Sequence, residues 1–172
     1  MIIDIIKYIV GFVLIILIQL LVINNIELST YVNPYIYIIF ILSLPVTTKP
    51  WHVVVLSFFT GLVMDTFSST PGLHMAAVGF MGYIRNFYLQ FACSKEDYES
   101  KIQPSISKKG LVWFLVYISI MTLMHHLVLF YLEIYSFREF FRTLLRILSS
   151  SFFTVLLISI GQLLFYRADK AR

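Results

Sequence analysis

Charge is what this sequence has least of. Only 13% of its 172 residues are Asp, Glu, Lys or Arg, about half the share of an ordinary soluble domain. Cysteine is confined to Cys93, which excludes an internal disulfide. Catalytic signatures are missing as well. The chain has no G-x-S-x-G, no H-E-x-x-H, no glycine-rich phosphate loop and no pair of acids within one apolar segment. These lacks argue against an enzyme and leave no catalytic, cofactor-binding or metal-binding residue to nominate. The net charge of +4 is no sign of nucleic-acid binding, because the basic residues sit in loops between apolar segments.

What the sequence has instead is apolar bulk. Hydrophobic residues make up 59% and aromatics 17%, and the mean hydropathy is +0.87. Water-exposed surface could not absorb that composition, so the expected class is an all-α membrane protein. The expectation is a single integral membrane domain over residues 1–172, a compact bundle of six spans, or five. At 1.5 Å of rise per residue, about 20 residues cross the hydrocarbon. Spans are expected near residues 5–23, 33–48, 51–67, 72–93, 111–132 and 147–166. The first apolar run lacks a small-residue cleavage site and exceeds a signal-peptide core, so it reads as a retained span. Pro50 suits the first turn of the third segment. The second, "NPYIYIIFILSLP", is the shortest. Asn33-Pro34 reads as a helix start, and the segment either spans by continuing past a kink at Pro45 or is re-entrant.

Charge asymmetry orients the bundle. With six spans and both termini cytoplasmic, the inside holds Lys7, Lys49, Arg85, Lys95, Lys101, Lys108, Lys109, Arg167, Lys170 and Arg172. The outside holds Arg138, Arg142 and Arg146, which makes ten against three. Five spans move Lys7 outward and give nine against four. Arg85, about 20 Å along its helix, is expected to snorkel inward. Residues 94–110 form a cytoplasmic loop, polar, mixed in charge and mobile. Outside, Arg138, Arg142 and Arg146 recur at i, i+4, i+8 with Phe137, Phe140, Phe141 and Leu144 opposite. That pattern predicts an interfacial helix over 136–146, its basic face meeting lipid headgroups or a partner. Tyr31, Tyr35, Trp51, Trp113, Tyr131 and Tyr166 fall near span ends, as interface anchors do.

The stretch "GLVMDTFSSTPGLHM" holds an acid, Asp65, in greasy surroundings. Ser57, Gly61 and Asp65 share one helical face, and Gly72, Ala76 and Gly79 repeat the small-residue theme in the next span. The two helices are expected to pack closely as a hairpin around residues 68–71. Near the C-terminal end of its helix, Asp65 opposes the macrodipole. Its expected partners are backbone N–H groups of residues 68–72, the N-terminal end of the following helix, and His74. Asp65 therefore reads as a stitch in the hairpin, with ion coupling or partner contact as the alternative. His125 and His126 point about 100° apart, so helix-to-helix hydrogen bonds suit them better than a shared metal. Gln19 is expected to bond across helices too.

From "NPYIYIIFILSLP" through "FFTGLVMDTFSSTPGLHMAAVGFMGYI", the chain resembles the family of the bacterial rod shape-determining protein MreD. Pro34, Leu44, Pro45, Gly61, Asp65, Ser68, Gly72, Ala76 and Tyr83 carry the resemblance. It implies a scaffold in the cytoplasmic membrane, similar in fold to the substrate-binding components of energy-coupling-factor vitamin transporters. The implied partners are an MreC-like protein, a RodA-type transglycosylase with its transpeptidase partner and, indirectly, the MreB cytoskeleton. The competing reading is a small-molecule transport component. Against it, the first span has only Gly11, and no alanine precedes Ala76.

Overall fold

The structure, a computed structural model, describes residues 2–26, 32–134 and 139–170, and the side chains among them except those of 2–5 and 165–170. Helix α1 (Ile2–Leu21) is followed by a 3-10 turn, Ile23–Asn25. A second 3-10 turn, Ile36–Ile38, leads into the four-residue α2 (Ile39–Leu42). Then come α3 (Pro50–Ser68) and α4 (Leu73–Ala92), two short helices α5 (Lys95–Glu99) and α6 (Ile106–Lys109), and the long α7 (Leu111–Ile134) and α8 (Phe140–Lys170). No strand occurs among the described residues. This is a helical membrane protein: α1, α3, α7 and α8 each contain a stretch long and apolar enough to cross a bilayer.

The other two expected spans differ from those four in instructive ways. α4 has the length, at 20 residues, but it is not apolar enough by composition, because it carries His74, Arg85, Asn86 and Gln90. The segment 33–48 is not a spanning helix. Only seven of its residues, Ile36–Leu42, are helical, about 10 Å of rise. Asn33 and Pro34 precede the helix instead of starting it. Yet this segment is the centre of the molecule: Tyr37, Ile38, Ile41 and Leu42 have no exposed surface. They pack with Val53, Met64, Met81, Phe114 and Tyr117 in the main core.

Around this inner thread, α3 packs on α4, α4 on α7 and α7 on α8, while α1 lies along the thread itself. Bulky side chains of α1 such as Ile9, Leu14 and Leu21 stay exposed, a lipid-facing surface for a helix of this composition. In lipid, burying a leucine gains little hydrophobic free energy, so packing and hydrogen bonding must hold the bundle.

Two further expectations change. Residues 140–146 do not form a separate interfacial helix. They are the first two turns of α8, which runs unbroken for 31 residues, about 46 Å; residues 136–138, including Arg138, lie outside the described residues. The 94–110 loop is ordered, not loose. Ser94 and Asp97 close a capping box on α5, Ile106 is buried, and Val46 N–H donates to Ile102 O at 3.0 Å.

Candidate functional site

A non-helical chain at membrane depth is tolerated only where protein satisfies its backbone polar groups, each costing several kcal/mol if left bare. The thread shows how this is done. Gln19 of α1, fully buried, makes four bonds. Its Oε1 accepts from Ile36 N at 2.7 Å and Tyr37 N at 3.4 Å; its Nε2 donates to Pro34 O at 3.1 Å and Asn24 Oδ1 at 2.8 Å. From α8, Ser150 Oγ accepts from Asn33 N at 2.9 Å, and Thr154 Oγ1 from Tyr35 N at 3.0 Å. At the far end Tyr117 OH donates to Leu42 O at 3.0 Å. Arg85 donates through Nε to Tyr117 OH at 3.0 Å and through Nη2 to Leu44 O.

Arg85 therefore does not snorkel to water. It has no exposed surface, and the expected basic count at that end falls from ten to nine. Its contacts explain the polarity of α4: the helix turns its charge inward, onto the Leu44 carbonyl and the Tyr117 phenol. The Gln19 expectation holds, with the thread as the partner.

At the opposite end of α4 sits Asp65, 6% exposed. Its Oδ1 accepts from His74 N at 3.0 Å and Thr70 Oγ1 at 2.9 Å; its Oδ2 accepts from Met75 N at 2.9 Å. The carboxylate thus caps the N-terminus of α4 from the neighbouring helix, which offsets its opposition to its own helix dipole. The stitch in the hairpin and its use of the N-terminal end of the following helix are as expected; the backbone donors are His74 and Met75, while from residues 68–72 it is the Thr70 hydroxyl, not a backbone N–H, that donates. Between the helices Gly72 adopts a left-handed conformation, φ +86°, which suits a residue without Cβ.

Close approach within the hairpin is real and uses one expected face. A Cβ on Gly61 would lie 2.6 Å from His74 O and Met75 N. On α4, however, the matching residue is Gly82, which faces the Ser57 side chain. Gly72, Ala76 and Gly79 do not form the contact stripe: Ala76 is exposed, and a Cβ on Gly79 would meet nothing within 4 Å. Tyr83 is half exposed and rests on Phe87. Pro45 accepts a turn bond from Thr48 N at 3.1 Å.

The His74 imidazole ignores Asp65 and turns to the thread. Tyr37 OH lies 2.9 Å from His74 Nδ1 and 2.9 Å from His125 Nε2. One hydroxyl proton cannot serve both nitrogens, so one imidazole accepts from Tyr37 and the other donates to it. His125 Nδ1 meets no partner among the described residues, though the residue is fully buried. His126 bonds Thr122 O at 2.8 Å, and its Nε2 lies 3.4 Å from Thr154 Oγ1. The two histidines serve hydrogen bonding between elements, as expected.

Beside His74 the bundle opens into a cavity of about 320 Å³, lined by Asn24, Asn33, Tyr35, Ser68 and Thr70 among others. Arg146 stands behind it. Its guanidinium pairs with Glu133 at 3.0 Å and stacks 4.2 Å from the Phe130 ring; with the Asn33 amide turned to present its oxygen, the orientation that satisfies both groups, Nε and Nη2 donate to that oxygen at 3.1 Å. Arg146 is thus tied inward, while Arg142 is exposed beside Glu139 at 3.4 Å. The two do not form one basic face.

Sequence reasoning missed Tyr37, Tyr117, Ser150, Thr154 and Gly82. A signal existed for two of them: Ser150 and Thr154 are four apart in α8, hence on one face. Compared with protein-family models, curated proteins and solved structures, the chain matches none.

Proposed function

We propose that this chain is a non-catalytic membrane scaffold of the bacterial cell-elongation machinery. It binds an MreC-like protein in the cytoplasmic membrane and supports lateral peptidoglycan synthesis and cell-shape maintenance. A RodA-type transglycosylase and its transpeptidase partner share the assembly, the MreB cytoskeleton joins it indirectly, and lipid surrounds it. In this reading the thread is the second of six crossings, both termini are cytoplasmic, and the fold is akin to that of energy-coupling-factor substrate-binding components.

One observation carries the proposal. The residues of the MreD-like stretch serve the interior: Gly61 lets α3 meet α4, Asp65 caps α4, and Pro34 O is held by Gln19. A sequence conserving its polar groups for internal bonds, with apolar faces of α1 and α3 left outward, suits a rigid docking body. Affinity purification of the full chain from its native membrane tests this directly. An MreC-like protein should co-purify in stoichiometric amounts. Its absence under conditions that preserve other membrane complexes overturns the scaffold reading.

A further inference from the structure

Helix α1 leans on the thread, and beside that contact a groove of about 340 Å³ opens. Its wall on α1 includes Lys7, Gly11, Leu14 and Ile18, and its wall on the thread includes Ile39 and Phe40. The α1 residues recur at i, i+4, i+7 and i+11, which sets them on one helical face. From Lys7 to Ile18 the helix rises about 16 Å, close to one leaflet of a hydrocarbon core about 30 Å thick. Polarity runs one way along this length. Among the described lining residues Lys7 alone is charged, and it stands at one end of the α1 wall.

Gly11 is a second, independent sign of an occupant. A glycine inside a helix weakens it relative to alanine, so its presence calls for a reason. The fold supplies none: a Cβ at Gly11 would meet nothing within 4 Å among the described residues. The room left by the missing side chain opens instead on the groove that Gly11 lines.

Shape and charge together select the occupant. A helix is 10–12 Å across with its side chains and fills over about 1,000 Å³ in 16 Å of length, so it can rest on the rim but not enter. Helices also approach closely through small residues spaced by four, whereas Gly11 has Lys7 and Ile15 at those positions. A single hydrocarbon chain fits the apolar length, and a phosphate fits the cationic end. We propose that this groove holds one acyl chain of an anionic phospholipid, with the lipid phosphate at Lys7. The site requires a membrane protein but not the scaffold reading, and it stands or falls separately from partner co-purification.

The test uses the full chain in lipid nanodiscs. Phosphatidylglycerol and phosphatidylcholine, each with a diazirine midway along one acyl chain, are photolysed there and the adducts mapped by mass spectrometry. Phosphatidylglycerol should label Leu14 and Ile18 saturably, in excess over the outward residues Phe58 and Leu62 of α3 and over phosphatidylcholine. Lys7→Gln changes an exposed side chain and should cut the preference for phosphatidylglycerol about fivefold. Gly11→Leu should remove the excess labelling at Ile18 while helix content, read by circular dichroism, stays unchanged. In native membranes, a benzophenone attached to Leu14→Cys in a Cys93→Ser chain should capture lipid. Equal labelling of Phe58, equal yields from the two lipids, or unchanged labelling in either variant overturns the proposal. So does capture of a second copy of the chain or of another protein at position 14.

Discussion

The amide oxygen of Gln19 stands 2.7 Å from the backbone nitrogen of Ile36, and the same side chain's Nε2 bonds Pro34 O. One residue of α1 therefore satisfies both donors and an acceptor of a chain that has no helix to satisfy them. Gln19→Leu should leave Pro34 O, Ile36 N and Tyr37 N bare in the core. At about 1–3 kcal/mol per orphaned group, the expected loss is about 3 kcal/mol or more, read by reversible unfolding in mixed micelles. Gln19→Glu keeps the acceptor and should fall between. A Gln19→Leu loss as small as that of Ile18→Leu on the lipid face would show that the thread is held otherwise.

Asp65 uses both oxygens as acceptors, so asparagine must turn an NH2 group toward a donor. Asp65→Asn should insert normally and lose about 1.5–3 kcal/mol, the range for hydrogen bonds to a charged group. Normal stability combined with lost assembly would instead place Asp65 against a partner.

Two glycines one helix apart should respond in opposite directions. Gly61→Ala drives a methyl into the α4 backbone at His74 and Met75, and overpacking of this kind costs about 1–3 kcal/mol. Gly79→Ala meets open space and improves helix propensity by up to about 1 kcal/mol. Unfolding of the two variants side by side checks the pair. Equal effects would mean that α3 and α4 do not meet at Gly61.

What could be read in the sequence was whatever depends on local pattern. Long apolar runs gave α1, α3, α7 and most of α8, and four-residue spacing gave the Ser57–Gly61–Asp65 face. The thread escaped because its stability is not local: Asn33 and Tyr35 are satisfied from α8, over a hundred residues away. Arg85 escaped for the same reason, since only the fold brings Tyr117 and Leu44 to it. The candidate cavity was half visible. His74 and Ser68 stood in the motif, but Asn24 and Asn33 reach its wall only through the fold.

The Asp97–Lys109 pair should make the α5–α6 cap sensitive to acid. The Lys109 ammonium, 2.5 Å away, holds the Asp97 carboxyl below its ordinary value of 3.8, helped by the Ser94 backbone. Folding then favours the ionised form, so the contribution is complete above the ordinary carboxylate range. It disappears as pH falls through the lowered native value. Hydrogen exchange at Ile102 and the α5 amides should stay slow down to about pH 4 and accelerate below it. In Lys109→Met the acceleration should begin at higher pH. An unchanged profile in that variant would remove the pair from the account.

Arg85 and Tyr117 should prove energetically inseparable. The phenol accepts from Arg85 Nε while donating to Leu42 O, and the guanidinium reaches Leu44 O with a second nitrogen. Lysine has one compact donor head and cannot span both acceptors in this geometry, so Arg85→Lys should destabilise by about 2 kcal/mol. Tyr117→Phe leaves Leu42 O and Arg85 Nε unpaired and should cost a similar amount. Once either is changed, much of what the other does is already lost, and the double variant should fall short of the sum by about 1 kcal/mol or more. The sequence position alone suggests a snorkelled arginine, whose head would sit in water and ignore Tyr117. In that case the two losses would add within about 0.5 kcal/mol, and the inward-turned guanidinium that anchors the thread would have to be abandoned.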